Sequence, residues 1–295
     1  MTQQTNTRYN IDTCSMIVEF NASVWTARKL DKTATDEVVH SKNAGAKDAA
    51  RVNKHLLAGR NELDVIQKHV NAVRTYVYSQ TMPWSDSGQR LLPTSKFIEF
   101  NNRMDEENDK FWKLVNDFVD VYPSLITAQA MALGDMFNRN DFPSQAEIAA
   151  KFDFGVGFLP VPTFGDFRID VGNQAQAELQ KKLTELSDKR VEAAMQDVKD
   201  KLKDHLKRMS DRLTVDYVNG EAVTRKFHNS LVDGAFDLCD MVKALNIVND
   251  PDLETARKQL EFALVGVDAK ELRDNMSVRT EVKSQVDEIL NKFAF

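Results

Sequence analysis

The chain has 295 residues, of which 42% are hydrophobic and 28% are charged, and its net charge is −6 at pH 7. This composition can bury a core, so it excludes wholesale disorder, and the acidic balance disfavours a surface that binds nucleic acid everywhere. Glycine and proline are scarce, at 11 and 7 residues, which favours long regular elements over many turns.

The beginning of the chain and its two cysteines indicate a cellular location. Residues 1–10 are polar and lack the apolar stretch of a secretion signal, so we expect residues 1–14 to form a flexible N-terminus. We find no apolar run of the length that a transmembrane helix needs. Cys14 and Cys239 lack a CxxC partner and are interpreted as buried, reduced thiols. Together these features predict a cytoplasmic protein.

The first half of the chain predicts one strand followed by long helices. Apolar and polar residues alternate from Ser15 to Ala27, as in a half-buried strand. Helical periodicity runs from Lys47 to Ser79 and ends before Met82-Pro83, and Trp84 to Pro93 is predicted to be a connector. A second helix is predicted from Ser95 to Val121, with an interruption at Tyr122-Pro123-Ser124.

The middle of the chain breaks this helical rhythm. Ser144 and Glu147 have the spacing of a capping box, which begins a short helix. Phe152 to Val171 is rich in aromatic residues and contains Gly155 and Gly157. We interpret it as a strand, a turn and a strand that pair with Ser15–Ala27 in one small antiparallel sheet.

The clearest predicted element is a helix from Gln174 to Leu213, which contains neither proline nor glycine. Its apolar residues keep spacings of three and four, apart from one weaker step at Val191, and its other faces mix acids and bases. A narrow stripe on so long a helix is typical of a coiled-coil arm or an oligomer seam. The candidate seam residues are Leu179, Leu183, Leu186, Met195, Val198, Leu202, Leu206, Met209 and Leu213.

A smaller helical region is predicted at the end of the chain. Asn219-Gly220 indicates a tight turn or a helix cap, and three shorter helices follow, one of them beginning at Asp250-Pro251. The expected fold is therefore mainly α (α+β), with long antiparallel or coiled-coil helices and one small antiparallel sheet. We expect a long-helix body over residues 15–219 and a C-terminal helical bundle over residues 220–295.

The sequence carries no common catalytic signature: GxxxxGK[ST], GxGxxG, HExxH and GxSxG do not occur. We therefore predict a binding protein rather than an enzyme, with no catalytic, cofactor or metal site. His55, Glu62 and His69 lie seven residues apart, too far for one ion on one helix, and His205 and His228 are interpreted as surface histidines.

Two segments have alternative interpretations, one functional and one purely structural. A basic strip between Arg28 and Arg60 could follow the phosphates of a nucleic acid, or it could be a solvated helix start that lacks aromatic residues for base stacking. Its candidate nucleic-acid contacts are Lys42, Lys47, Arg51, Lys54 and Arg60. Phe152–Val171 could be a tongue that inserts into lipid, although its aspartates and Arg168 favour a packed sheet.

Several short motifs follow one another along the chain, and each of them alone is unspecific. They are Tyr76–Trp84, Gly88–Pro93, Phe118-Val119, Tyr122-Pro123, Asn138–Ser144, Phe152–Phe154, Pro160–Pro162, Asp166–Arg168, Phe227–Leu231 and Asn246–Leu253. Their order resembles a family of phage and bacterial proteins known as domain of unknown function 3150, and the resemblance spans nearly the whole chain after Ser15.

This family has no established activity, so the resemblance implies no catalytic residue. It implies a gene on a phage or mobile element, near a MoxR-type AAA+ ATPase and a von Willebrand A-type protein, and thus the cytoplasm of a bacterial host. The first hypothesis is a non-catalytic, oligomeric adaptor or assembly protein, in that case an accessory subunit of the ATPase. The alternatives are a nucleic-acid-binding factor in phage replication or recombination, and a membrane-active helical protein.

Overall fold

The computed structural model describes residues 11–46, 48–162, 173–218 and 220–293. The fold is mainly α with a small antiparallel sheet and a helical C-terminal region, as predicted. The helices are α1 (Ile11–Cys14), α2 (Lys32–Ser41), α3 (Glu62–Gln80), α4 (Phe97–Leu133), α5 (Gln145–Ala149), α6 (Asn173–Leu213), α7 (Ser230–Leu245), α8 (Pro251–Ala263), α9 (Glu271–Asp274) and α10 (Met276–Lys292). The strands are β1 (Ser15–Ser23), β2 (Arg28–Leu30), β3 (Asn53–His55), β4 (Met82–Pro83), β5 (Arg90–Pro93), β6 (Asp153–Pro160), β7 (Val215–Val218) and β8 (Glu221–Thr224).

The main sheet has four strands in the order β4-β5-β1-β6. Ser15 pairs with Pro93 and Val18 with Arg90, so β1 and β5 are antiparallel. The predicted pairing of the first strand with the aromatic segment is confirmed for β6, while residues 163–171 of that segment lie outside the described residues. The predicted connector is wrong in part, because it contains β5 and a turn in which Gly88 has φ +91°.

Two further ladders lie outside the main sheet. β2 pairs with β3, where the sequence predicted irregular chain followed by helix. The predicted helix from Lys47 was wrong over its first part, since α3 begins only at Glu62. β7 and β8 form a hairpin in which Val218 pairs with Glu221, so the predicted tight turn is confirmed, with Gly220 at φ +85°.

The predicted interruption at Pro123 does not occur, because α4 continues through it to Leu133. A proline in a helix frees the carbonyl four residues earlier, which here belongs to Val119. The side-chain amide of Gln145 donates to that carbonyl at 3.0 Å. The neighbouring Tyr122 is fully buried and its hydroxyl donates to Pro143 O at 3.1 Å. These long-range contacts let the helix tolerate the proline.

The chain divides into two compact units with other boundaries than those predicted. Unit 1 contains residues 1–19, 77–100 and 157–295, and unit 2 contains residues 20–76 and 101–156. The predicted boundary near residue 219 is wrong, because α6 packs against α7 and α10 in the same unit. Of the predicted flexible N-terminus, residues 1–10 lie outside the described part, and Ile11–Cys14 form a helical turn with Ile11 buried.

The core of unit 1 is built on the C-terminal half of α6. Its side chains from Val191 to Leu213 that form the apolar stripe are 0–7% exposed. They pack in one cluster with apolar residues of α7, α8 and α10, among them Val242, Leu260 and Val286. The start of α8 matches its sequence signal, since the carboxylate of Asp250 accepts from the amides of Asp252 and Leu253.

A side-chain contact fixes the middle of α6 to the end of α3 inside unit 1. The ammonium of Lys201 donates to the carbonyls of Tyr78 at 2.8 Å and Thr81 at 3.0 Å, and it pairs with Asp197 at 2.8 Å. A cation among the last carbonyls of a helix satisfies acceptors that have no partner within the helix.

The core of unit 2 is largely aromatic. Phe118 lies 5.7 Å from both Tyr122 and Phe152, measured between ring centroids, and Phe154 lies 5.2 Å from both Phe20 and Phe111. Aromatic pairs at these distances stabilise a core beyond the area that they bury.

We predict that Leu206→Ala lowers the free energy of unfolding by about 3 kcal/mol, because it removes a fully buried side chain and leaves a cavity. The matched variant Leu186→Ala, at a position that is 44% exposed, should change it by less than about 1 kcal/mol. Urea unfolding in dilute solution measures both. Equal effects would contradict the assignment of this stripe to the core.

Candidate functional site

The nine residues of the predicted seam have two different environments. Six of them, from Met195 to Leu213, are buried in the core of unit 1 and are not available to a second chain, so this part of the seam prediction is wrong. Leu179 and Leu183 are half-buried, and Leu186 is exposed. The candidate partner surface is therefore confined to residues 178–190, which we call the α6 arm.

The α6 arm is helical, and charged pairs on its other faces support that conformation. Lys182 pairs with Glu178 at 2.8 Å, and Lys181 lies 4.0 Å from Glu185. Such pairs four residues apart stabilise an exposed helix by a few tenths of a kcal/mol each. Arg190, at the end of the arm, stacks on Trp84 with its guanidinium carbon 5.5 Å from the ring centroid. The arm thus stays regular without burying its apolar stripe completely.

The cations of the predicted basic strip lie in different environments in the folded chain, and Lys54 is buried. Lys54 is only 8% exposed, and its ammonium lies 2.5 Å from the carboxylate of Asp141 and 3.4 Å from that of Asp31. It also donates to Met136 O at 2.9 Å. Lys54 is therefore an internal ion-pair partner in unit 2, and its prediction as a nucleic-acid contact is wrong.

The other candidates of the basic strip keep their exposure where they are described. Lys42, Arg51 and Arg60 are exposed, and no ion pair joins them to an acid within the described residues. Lys47 lies outside the described residues. Three separate cations thus remain as possible contacts for phosphate groups.

The ion pairs of Lys54 change the protonation of their members. Burial alone would raise the pKa of the Asp141 carboxyl, but hydrogen bonds and charge from Lys54 and Lys29 outweigh it and hold that pKa below its ordinary value. The amide of Ala34 donates to Asp31 and, with Lys54, lowers the pKa of that carboxyl as well. The pKa of Lys54 is raised, chiefly by its hydrogen bond to Asp141.

Replacing Lys54 by methionine should lower the stability of unit 2 by about 2 kcal/mol at pH 7, because it leaves Asp141 without its closest cation. Since the carboxyl pKa values are lowered in the folded state, the stabilisation is complete above the unfolded value of about 3.9 and is lost as the pH falls through the folded values. Urea unfolding should therefore show a smaller difference from wild type at pH 3 than at pH 7.

Lys42→Met is the control, since it removes an exposed cation from the same segment and should leave stability nearly unchanged. A Lys54→Met variant as stable as wild type at pH 7 would disprove the internal role of this ion pair.

The aromatic segment is not free to act as a lipid tongue over its described half. Phe152 and Phe154 are 4% and 8% exposed and belong to the aromatic core of unit 2. Phe158 packs against Phe97 at 5.1 Å between ring centroids, inside unit 1. The sheet interpretation of this segment therefore holds for β6. None of the described helices is long and apolar enough to cross a membrane.

The histidines and cysteines differ in part from their predicted environments. His205 is buried rather than on the surface, its Nε2 lies 3.1 Å from Leu231 O, and burial lowers the pKa of its ring. Cys239 is buried, which raises the pKa of its thiol to about 11, whereas Cys14 is only half-buried. Within the described ranges no three His, Cys, Asp or Glu side chains are placed to hold one metal ion.

Sequence reasoning missed a cationic cavity in unit 1, between the exit of β8 and the start of α10. We call it the C-terminal pocket; it has a volume of about 510 Å³. Its charged and aromatic lining comprises Arg225, Lys226, Phe227, His228, Arg273 and Arg279. The dipeptide Arg225-Lys226 was visible in the sequence, but the approach of two arginines more than forty residues later was not.

Arg279 forms the floor of the C-terminal pocket and is 1% exposed. Among the described residues its guanidinium donates to four backbone carbonyls: to Leu213 O at 3.0 Å, to Arg212 O at 2.6 Å, to Arg225 O at 2.9 Å and to Leu272 O at 3.4 Å. Burial lowers its pKa, and an arginine stays charged even so. Arg279 thereby joins the end of α6 to the exit of β8 and to α9.

No family model, no curated protein and no solved structure matches this chain. The resemblance to the phage and bacterial family therefore stays a prediction. The candidate functional features of the described residues are the α6 arm, the three exposed cations and the C-terminal pocket.

Proposed function

We propose that this protein is a non-catalytic adaptor or assembly protein that forms a homo-oligomer through the α6 arm. The supporting observation is the partial exposure of Leu179, Leu183 and Leu186 on a helix whose remaining stripe is buried in its own unit. Their spacing of four and three residues places them on one face, as in a heptad repeat. A second apolar helix would cover this face.

The charges of the arm favour a second copy of this chain as that helix. The arm contains four cations and three acids, so two arms do not repel each other strongly. If two arms pair antiparallel through this leucine face, each contact between them occurs twice by symmetry. Lys181 and Glu185, which lie 4.0 Å apart within one arm, are two residues from Leu183 on either side and therefore lie on the opposite, exposed face of the helix.

The resemblance adds a further partner to this proposal. An oligomeric adaptor on a phage or mobile element could serve as an accessory subunit of a MoxR-type AAA+ ATPase in the bacterial cytoplasm. We include this ATPase as the first protein to seek in a purification from the native host. The association rests on the resemblance alone.

We expect the wild-type chain to have a mass that rises with concentration above the 33.5 kDa of one copy, and the double variant Leu183→Glu/Leu186→Glu to remain at that mass. Two buried carboxylates on each arm would oppose pairing by desolvation and by repulsion. Sedimentation equilibrium or light scattering after size exclusion measures the mass.

The matched control is Ile98→Glu/Met131→Glu, which introduces the same charges at two other helical positions that are 72% and 92% exposed. It should associate like wild type. A wild-type chain that stays monomeric at about 100 μM, a concentration sufficient for micromolar affinity, and that retains no protein partner after nuclease treatment, would refute the adaptor proposal.

A nucleic-acid-binding role is the alternative, and the exposure of Lys42, Arg51 and Arg60 supports it. Binding through these cations would weaken steeply as salt rises, because each phosphate contact releases counterions. We expect Arg51→Gln/Arg60→Gln to reduce the salt dependence of binding to duplex DNA by about two contacts, while Lys54→Met, at a buried position, should not change it. The absence of binding by wild type at low salt would exclude this role.

A further inference from the structure

The C-terminal pocket concentrates positive charge in a chain whose net charge is −6. Its lining contains three arginines and one lysine, and no aspartate or glutamate lines it among the described residues. Of these four cations, Arg225 is neutralised by acids: it forms one ion pair with Asp211 and a second, at 3.4 Å, with Asp216. Lys226, Arg273 and Arg279 form no ion pair with an acid in the described ranges.

Two of these cations are held on one aromatic ring. The guanidinium carbon of Arg273 lies 5.2 Å from the centroid of Phe227, and that of Arg279 lies 5.3 Å from the same centroid. Contact with the ring faces favours each cation, but it does not remove the repulsion between them. A bound anion would relieve that repulsion.

The unused donors of the pocket indicate which anion fits. A guanidinium has five N–H groups. Arg279 uses four described bonds, and Arg273 uses two, to Phe227 O at 3.4 Å and to Asn229 Oδ1. Lys226 is exposed and no hydrogen bond of its ammonium appears among the described contacts. Guanidinium donors arranged in a fork, with an ammonium beside them, match the oxygens of a phosphate group.

We propose that the C-terminal pocket binds the phosphate group of a small phosphorylated molecule. A volume of about 510 Å³ exceeds the need of the phosphate alone and lies in the range of sites for small organic ligands. A phosphate monoester, with its two negative charges, suits three unneutralised cations better than the singly charged phosphodiester of a nucleic acid.

A purely structural role explains only part of this arrangement. Arg279 satisfies carbonyls at the end of α6, and a cation is favourable there because of the helix dipole. That role needs neither Arg273 nor Lys226, which are exposed and make no bond to α6 among the described contacts. Arg273 and Lys226, at the rim of the pocket, are therefore the residues to replace in a test. Their replacement leaves the hydrogen bonds of Arg279 to the backbone unchanged.

The experiment is calorimetric titration of the full chain with inorganic phosphate, at constant ionic strength. We expect saturable binding at one site per chain, weakened about tenfold or more by Arg273→Gln and by Lys226→Gln, since each removes a charge-assisted contact. Arg273→Lys should recover part of the loss. Arg208→Gln, which removes an exposed arginine from α6 in the same unit, should stay within about twofold of wild type.

Three results would overturn the proposal: no saturable binding by wild type up to about 10 mM phosphate, an equal loss with Arg208→Gln, or tighter binding of an oligonucleotide without terminal phosphates that depends on Arg273. The last result would assign the pocket to phosphodiesters. The variant Leu183→Glu/Leu186→Glu shares no residue with the pocket and should bind phosphate like wild type. Phosphate binding and oligomer formation can therefore fail independently.

Discussion

Burial of the apolar stripe of α6 between Val191 and Leu213 is the interaction on which unit 1 depends. The helix has 41 residues, and helices α7, α8 and α10 contribute to the cluster that covers this stripe. Apolar burial of this kind is the dominant favourable contribution to folding, and an uncovered stripe of six large side chains would be a large exposed patch. Because the chain itself covers this part of the stripe, the described apolar residues of α6 that remain for another molecule are those of the α6 arm.

The two proposed sites lie at opposite ends of this helix. Leu183 and Leu213 are separated by about 45 Å of helix at 1.5 Å per residue, so the arm and the C-terminal pocket share no side chain. Arg279 holds the carbonyls of Arg212 and Leu213 at the second end, which fixes the pocket to the same core. The proposed oligomer contact and the proposed anion site accordingly lie on separate parts of one helix and share no residue.

The sequence predicted the helices and their caps better than it predicted which residues pack against them. Regular spacing identified α6 almost to its ends, and the cap signals at Ser144 and Asp250 were correct, because both depend on neighbouring residues only. The same spacing cannot distinguish an intramolecular core from an oligomer seam, since a leucine stripe has one pattern for either partner. The predicted seam therefore included six residues that belong to the core of unit 1.

The remaining errors have the same origin in contacts between distant segments. Pro123 was expected to end a helix, but Gln145 supplies the donor for the carbonyl that the proline frees. Lys54 looked like a surface cation, because nothing near it in the sequence indicates its pairing with Asp141. The C-terminal pocket escaped notice for that reason too, as Arg273 and Arg279 reach Phe227 only in the folded chain.

Hydrogen exchange along α6 at two protein concentrations tests this division of the helix most directly. The account predicts that amides of residues 191–213 are strongly protected at both concentrations, since they exchange only when unit 1 opens. Amides of residues 178–190 should exchange faster in dilute solution and become protected at high concentration, when a second arm covers them. An arm whose exchange does not depend on concentration, or a segment 191–213 that exchanges as fast as the arm, would contradict the account.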